Sequence, residues 1–271
     1  MDWPSLVAAI QDVLAATRDA LAGIWDWETI FNSIPALLRG LVRTFELVGI
    51  SLVLGFMLAV PLALLRTSRN PLAWMPVYGY VYVMRGTPLL VQLYLIYYGS
   101  GQIPGIQESV FWPFLRESWY CAVLAFTLNT AAYQTEIFRG AILAVPHGEV
   151  EAARSVGMSP GLLYRRIVLP RAFRFALPAF ANEVILTLQA SAIASIVTIE
   201  ELTGSAERII SETFAFYELY ITIALMYLAV TYTLVGLFRK VEYRLSAHLR
   251  DRPVTRVLAT PGPEPVQAGL R

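Results

Sequence analysis

Four charged side chains sit where the sequence is otherwise apolar. Glu46, Arg85, Glu136 and Glu183 lie inside or at the edges of long hydrophobic stretches. An ionisable group within a membrane span costs about 2.5–3.5 kcal/mol on insertion scales, so it normally faces the bundle interior or a cavity. Two roles suit such groups. They can line a pathway for a polar solute, with carboxylates for its cations and Asn129, Thr130, Gln134 and Ser191 as neutral contacts. Alternatively they hold helices together: Arg85 can pair with a carboxylate, and Glu136 and Arg139 have the three-residue spacing of a helical ion pair. Covalent chemistry has no foothold. Two histidines and one cysteine cannot build a metal cluster, and no nucleophile and base are clustered, so neither a catalytic residue nor a metal site is expected. A phosphate-binding loop of the form G-x-x-x-x-G-K-[ST] needs a lysine. The only lysine, Lys240, stands between Arg239 and Val241. If ATP drives this protein, another chain hydrolyses it.

The elements that position these residues are membrane helices. The chain has 271 residues, of which 56% are hydrophobic and 15% charged. Soluble domains carry about 25% charge. Mean hydropathy is +0.56. A net charge of +1 gives no basic field for nucleic acid, which is not expected as a partner. Cys121, between Trp119-Tyr120 and Ala122-Val123, reads as a small buried residue. Five apolar stretches are long enough to cross about 30 Å of hydrocarbon: residues 46–65, 74–98, 118–138, 175–196 and 219–238. Segments 66–73, 139–174 and 239–271 hold two, six and seven Lys/Arg, 15 of the 21 in the chain. The positive-inside rule makes that side cytoplasmic, with the N-terminus outside and the C-terminus inside. Residues 5–25 carry the stripe Leu6, Ile10, Val13, Leu14, Leu21 and Ile24. This is an amphipathic helix either lying on the membrane or packed on its own protein. The expected organisation is an extracytoplasmic segment over 1–40, a membrane domain over 41–248 and a disordered cytoplasmic tail over 249–271. The chain shows no internal repeat, and hence no inverted-repeat signature of the kind many secondary transporters carry.

The segment 148–170 predicts a short helix, a break and a second helix. Glu149, Glu151, Ala152 and Ala153 are helix formers with small side chains on one face, which lets a partner approach the backbone. Gly157 can take a positive φ and end the first helix. Ser159 and Pro160 suit the N-cap and first turn of the second, and Pro170 is expected to end or kink it. Glu151-Ala152-Ala153, three residues, Gly157, nine residues and Ile167-Val168-Leu169-Pro170 resemble the EAA loop of ABC import permeases at every fixed position. The resemblance implies that this coupling loop, residues 146–170, docks on a separate ATPase. The contacts would centre on Glu151, Ala152, Ala153, Gly157, Ile167, Leu169 and Pro170.

Two further segments narrow the resemblance. Met84-Arg85-Gly86-Thr87-Pro88-Leu89-Leu90-Val91-Gln92 is similar to the signature of polar amino-acid permeases. Residues 128–142, running into Val145-Pro146-His147-Gly148, resemble the third helix of that family. The likeness covers about residues 35–248 and looks closest to permeases for histidine, lysine, arginine, ornithine and opines. It implies an all-α polytopic type I importer permease with about five spans in a bacterial inner membrane. Implied partners are a second permease subunit, two cytoplasmic ATPase subunits carrying ATP and Mg, and an extracytoplasmic solute-binding protein. The implied pathway residues are Arg85, Asn129, Thr130, Gln134, Glu136, Glu183, Gln189 and Ser191. The chain departs from many members at Gln189-Ala190-Ser191-Ala192, where a lysine followed by acidic or hydroxyl residues is usual and no charge is present. The substrate site therefore belongs either to this chain or to its partner permease. The rival reading is a secondary transporter or channel acting without an ATPase.

Overall fold

The computed structural model describes residues 26–245. The amphipathic helix expected over 5–25 and the tail over 249–271 lie outside the described residues. Helix α1 runs Trp27–Arg66 as 40 residues. At 1.5 Å per residue it is about 60 Å long, twice the thickness of a hydrocarbon core. The sequence places this span at 46–65, so the helix begins well before its apolar window. The reason is a stripe that hydropathy does not weigh. Leu37, Gly40, Thr44, Leu47, Ser51, Gly55, Ala59 and Ala63 recur at three- and four-residue intervals and are all buried. Asp26 caps the helix. It accepts from the Thr29 hydroxyl at 2.6 Å and the Thr29 N–H at 3.0 Å, and these bonds hold its carboxyl below the usual carboxylate range.

The second expected span is two helices. Helix α2, Pro71–Gly86, stops, and α3, Leu89–Tyr94, resumes into a π turn at Leu95–Gly99. Pro88 has no N–H, and Thr87 before it is extended at φ −118 and ψ 144. In an apolar medium the freed carbonyls need partners. The buried Gln92 side chain supplies them. Its amide nitrogen lies 2.8 Å from the Met84 carbonyl, 3.1 Å from the Thr87 carbonyl and 2.8 Å from the Thr87 hydroxyl. Asn129, one helix away, donates to Gln92 Oε1 at 3.0 Å and to the Met84 carbonyl at 3.3 Å.

A short helix α4, Trp112–Leu115, leads into α5, Ser118–Leu143. The small helix α6, His147–Ser155, is followed by α7, Pro160–Leu163. A π turn, Tyr164–Val168, then runs without a break into α8, Leu169–Ala190, and a 3-10 turn at Ser191–Val197. Pro170 therefore does not end the helix. It sits in the first turn of α8, and the wider π turn before it absorbs the hydrogen bond that proline cannot make. Helix α9, Leu202–Thr213, and α10, Phe216–Leu245, complete the described chain. Helices α1, the continuous Pro160–Val197 stretch and α10 are long and apolar enough to cross a membrane. The other two expected spans are the broken α2–α3 pair and the more polar α5.

Helix α5 is the hub, packed along α1, α8 and α2. Close crossings need glycine. A side chain at Gly55 would come within 2.7 Å of the Thr130 methyl on α5. One at Gly40 would lie 2.8 Å from the Glu201 carbonyl and 2.9 Å from Ser205 Cβ. Replacing Gly40 with Val should destabilise the chain by about 1–3 kcal/mol, the usual range for overpacking. It should lower the thermal midpoint in detergent, whereas Gly79→Ala, with nothing within 4 Å, should not. Gln92→Leu should cost about 1–3 kcal/mol for each carbonyl it strands, read as a lower midpoint in the same assay; an unchanged midpoint would show that the break does not depend on this side chain.

Candidate functional site

The loop between α5 and α8 is built as a rigid hairpin. Helix α6 ends in a double turn closed by two backbone bonds: Gly157 N–H to the Arg154 carbonyl at 2.9 Å and Met158 N–H to the Ala153 carbonyl at 3.1 Å. This paired closure needs a left-handed residue at the first position, and Gly157 takes it with φ 78. Ser159 stands at the N-cap of α7 and Pro160 in its first turn, but the Ser159 hydroxyl makes no capping bond. Helix α7 begins through the Leu163 N–H to Ser159 carbonyl bond at 2.9 Å instead. One face of the hairpin is anchored. Ala153, Leu163 and Val168 are buried in a cluster with Ala59 and Ala63 of α1, Phe138 and Ala141 of α5, and Ala172 and Ala176 of α8. Phe56 and Phe138 pack edge to face at 5.4 Å, and both touch Phe173 and Phe180. Arg171 pins Glu149 at 2.8 Å.

The opposite face is bare. Glu151, Ala152, Gly157 and Pro170 are exposed, Ile167 and Leu169 are half-buried, and Val156 is 74% exposed. Of the residues expected to couple, Ala153 is thus the anchor, while Glu151 and Ala152 face outward. An open cavity of about 580 Å³ lies beside them, bordered by Glu149, Ala152, Ile167, Pro170 and Arg166.

The expected pathway residues separate into three groups. Thr130, Gln134 and Glu183 are together and buried. Gln134 Nε2 donates to Thr130 Oγ1 at 3.1 Å, which leaves the Thr130 hydroxyl to donate to Glu183 Oε1 at 2.9 Å. Thr130 and Glu183 line a cavity of about 270 Å³ with Asn129, Tyr133, Thr187 and Ala190. Arg85 and Glu136 border a second cavity of about 350 Å³ on the same face of α5, which also includes Arg66, Tyr78 and Tyr133. Among the described residues Arg85 pairs with no carboxylate; its guanidinium lies over the Tyr133 ring, 5.0 Å from the centroid. Glu136 is committed to structure. It contacts Arg139 at 2.7 Å, as the spacing suggests, and Arg66 of α1 at 3.4 Å. Arg66 in turn lies over Tyr78 at 4.6 Å and Trp74 at 5.6 Å. Gln189 and Ser191 stand apart from both cavities. Gln189 is exposed, and buried Ser191 donates to the Leu188 carbonyl at 2.6 Å. Asn129 borders the first cavity, but its amide closes the helix break.

Sequence reading missed Glu201. It is fully buried and accepts from the Gly204 N–H at 2.9 Å, the Tyr227 hydroxyl at 2.9 Å and the Thr44 hydroxyl at 3.2 Å. It ties α1, α9 and α10 together. Glu200 beside it is exposed and pairs with Arg208, and nothing in the Glu-Glu dipeptide says which one turns inward. Among the described residues no three His, Cys, Asp or Glu side chains gather into a metal site. Cys121 is buried, as its neighbours suggest.

A rigid loop held by the core, bare on its outer face, and two polar cavities along one helix are the parts a transport subunit needs. Several known proteins are similar to the chain over most of its length. The nopaline transport system permease protein NocM of Agrobacterium fabrum is 48% identical over 228 residues, 84% of this chain and 95% of that protein. The octopine transport system permease protein OccM of Rhizobium meliloti is 44% identical over 230 residues, 84% of this chain and 92% of that one. The histidine/lysine/arginine/ornithine transport system permease protein HisM of Salmonella typhimurium is 41% identical over 227 residues, covering 83% and 97%. Among solved structures, an amino acid ABC transporter crystallised with histidines superposes with a TM-score of 0.73 at 34% identity, over 81% of this chain and 99% of that one. The MetNI methionine ABC transporter shares the fold, with a TM-score of 0.65 at 20% identity over 78% of this chain and 96% of that one. The all-α polytopic fold is that of the type I importer permeases. The model of the binding-protein-dependent transport system inner membrane component family matches residues 51–247, and the chain belongs to that family.

Proposed function

We propose that this chain is the membrane subunit of an ATP-driven importer for polar, basic amino acids or opines. The curated relatives, nopaline, octopine and histidine/lysine/arginine/ornithine permeases, support that substrate class. Family membership favours this reading over a transporter acting alone. Two partner subunits bind ATP with Mg and hydrolyse the ATP, a second permease chain completes the membrane unit, and a solute-binding protein delivers cargo from outside. The Lys/Arg distribution puts the α5–α8 loop and the C-terminus in the cytoplasm.

The observation that carries the coupling role is the two-faced loop. Ala153 and Leu163 share one packed core with α1, α5 and α8, while Glu151, Ala152 and Gly157 lie open. A push from the ATPase on the open face moves the loop as one body, because close-packed cores transmit displacement rather than absorb it. On the substrate side, Glu183, held by Thr130, offers a carboxylate for the ammonium or side-chain cation of the cargo.

The test is the complex reconstituted in proteoliposomes with its cognate ATPase and binding protein. Arginine-loaded binding protein should stimulate ATP hydrolysis. Gly157→Val should reduce that stimulation at least about tenfold. Forcing φ 78 on a Cβ costs about 1–2 kcal/mol, and the bulk projects from the face free of this chain's own atoms. Full stimulation in the variant would sink the coupling role, and accumulation without any ATPase would sink the ATP-driven reading.

A further inference from the structure

Helix α10 is tied to the rest of the chain near its start only. Its buried residues are Glu218, Leu219 and Ile223, and none from Ala224 to Leu245 is buried. Leu225, Ala229, Tyr232, Gly236, Arg239 and Tyr243 recur at three- and four-residue intervals, so they share one face. Leu225, Ala229 and Tyr232 are exposed and give that face an apolar run. Gly236 ends the run with an open position: a Cβ there would meet no described atom within 4 Å.

The next turn carries charge. Arg239, Lys240, Tyr243 and Arg244 border an open cavity of about 300 Å³. Their spacing, i, i+1, i+4 and i+5, is that of a single helix face. Among the described residues no carboxylate borders this cavity; Glu242, in the same turn, does not reach it. The contrast with other arginines near the α5–α8 loop is sharp. Arg66 and Arg139 hold Glu136, and Arg171 holds Glu149. Arg239, Lys240 and Arg244 make no ion pair or hydrogen bond among the described residues. Like charges one turn apart, such as Lys240 and Arg244, repel each other, and an anion between them removes that penalty.

We propose that this face of α10 binds an anionic phospholipid. The phosphate lies against Arg239, Lys240 and Arg244, and an acyl chain follows the run from Gly236 back to Leu225. Each part suits that occupant. Lysine and arginine stems lie along hydrocarbon while their heads reach the polar boundary. Tyr243 is the type of residue that marks this boundary, and Gly236 leaves room where the headgroup meets the chain. A soluble phosphate would satisfy the cations and leave the apolar run bare. A second copy, packed face to face about a two-fold axis, would set the same cations against each other.

Native mass spectrometry of the detergent-solubilised assembly containing this chain tests the site. The probes are phosphatidylglycerol, phosphatidylcholine with the same acyl chains, and glycerol 3-phosphate as the headgroup alone. The wild-type assembly should bind phosphatidylglycerol at least about tenfold more tightly than phosphatidylcholine, a modest share of what three cations contribute near an anionic surface. Replacing the cations together, Arg239→Gln with Lys240→Gln and Arg244→Gln, should bring the two lipids within about twofold. Glutamine is about as good a helix former as lysine or arginine. Arg239→Lys with Arg244→Lys should keep the preference. Gly236→Leu, which leaves every charge in place, should weaken phosphatidylglycerol severalfold. Arg244→Gln alone, with a partial loss of preference, carries the test if the triple variant does not assemble. A preference that survives replacement of all three cations overturns the site. Glycerol 3-phosphate that competes as well as the lipid also overturns it, in favour of a soluble anion. Photo-cross-linking from a maleimide-labelled Tyr232→Cys to the second permease subunit, instead of to lipid, would give the face to that subunit and overturn the lipid as its occupant.

Discussion

A bilayer core offers a broken backbone no water to bond with, and this constraint decides where the chain can depart from helix. The departure between Gly86 and Leu89 sits beside both polar cavities. Gln92 reaches the Met84 and Thr87 carbonyls across it, and Asn129 reaches Gln92. Arg85, the last charged side chain before that break, is placed by it. The π turn at Tyr164–Val168 is a milder departure: it widens the helix directly before Pro170, in the first turn of α8. Polar side chains in this interior are thus divided between repairing the backbone and facing the cavities, and their individual hydrogen bonds show which task each performs.

Packing supplies what hydrogen bonding does not, a path for force. Ala153 on the loop, Phe138 on α5 and Phe56 on α1 belong to one cluster. Phe173 and Phe180 on α8 extend it through ring contacts. Small residues such as Ala59, Ala63, Ala172 and Ala176 let these helices approach closely enough for the rings to interdigitate. The loop gains rigidity from Gly157, whose left-handed conformation closes α6 in the space of one residue. Loop and membrane helices thus form one mechanical body with a bare outer face.

The parts legible in the sequence are those fixed by local backbone chemistry. Gly157, Pro160 and the Thr87-Pro88 pair announce turns because no other residue type fits those torsions so readily. The apolar runs announce helices, and Glu136 with Arg139 announces a pair. What was not legible depends on neighbours distant in sequence. The early start of α1 follows from a stripe of Gly, Ser and Thr that meets α5 and α9, and Arg39, Arg43 and Glu46 dilute the hydropathy there. Asn129 reads as a solute contact and serves mainly as a backbone repair, because its role is set by Gln92, 37 positions away. Glu201 and Glu200 are indistinguishable until the fold brings Thr44 and Tyr227 to one of them.

The two buried carboxylates differ in how fully they are bonded. Glu201 receives a backbone N–H and two hydroxyls, from three different segments, with no exposure at all. Bonds from three segments to a fully buried carboxylate make sense as a clasp between α1, α9 and α10. Glu183 is nearly as buried, at 7% exposure, yet it accepts from the Thr130 hydroxyl at 2.9 Å and borders a cavity. An ionisable group is expensive to keep in such a place without full compensation. The two carboxylates thus differ in their surroundings: Glu201 is enclosed by three helices, while Glu183 borders a cavity that Tyr133 also lines.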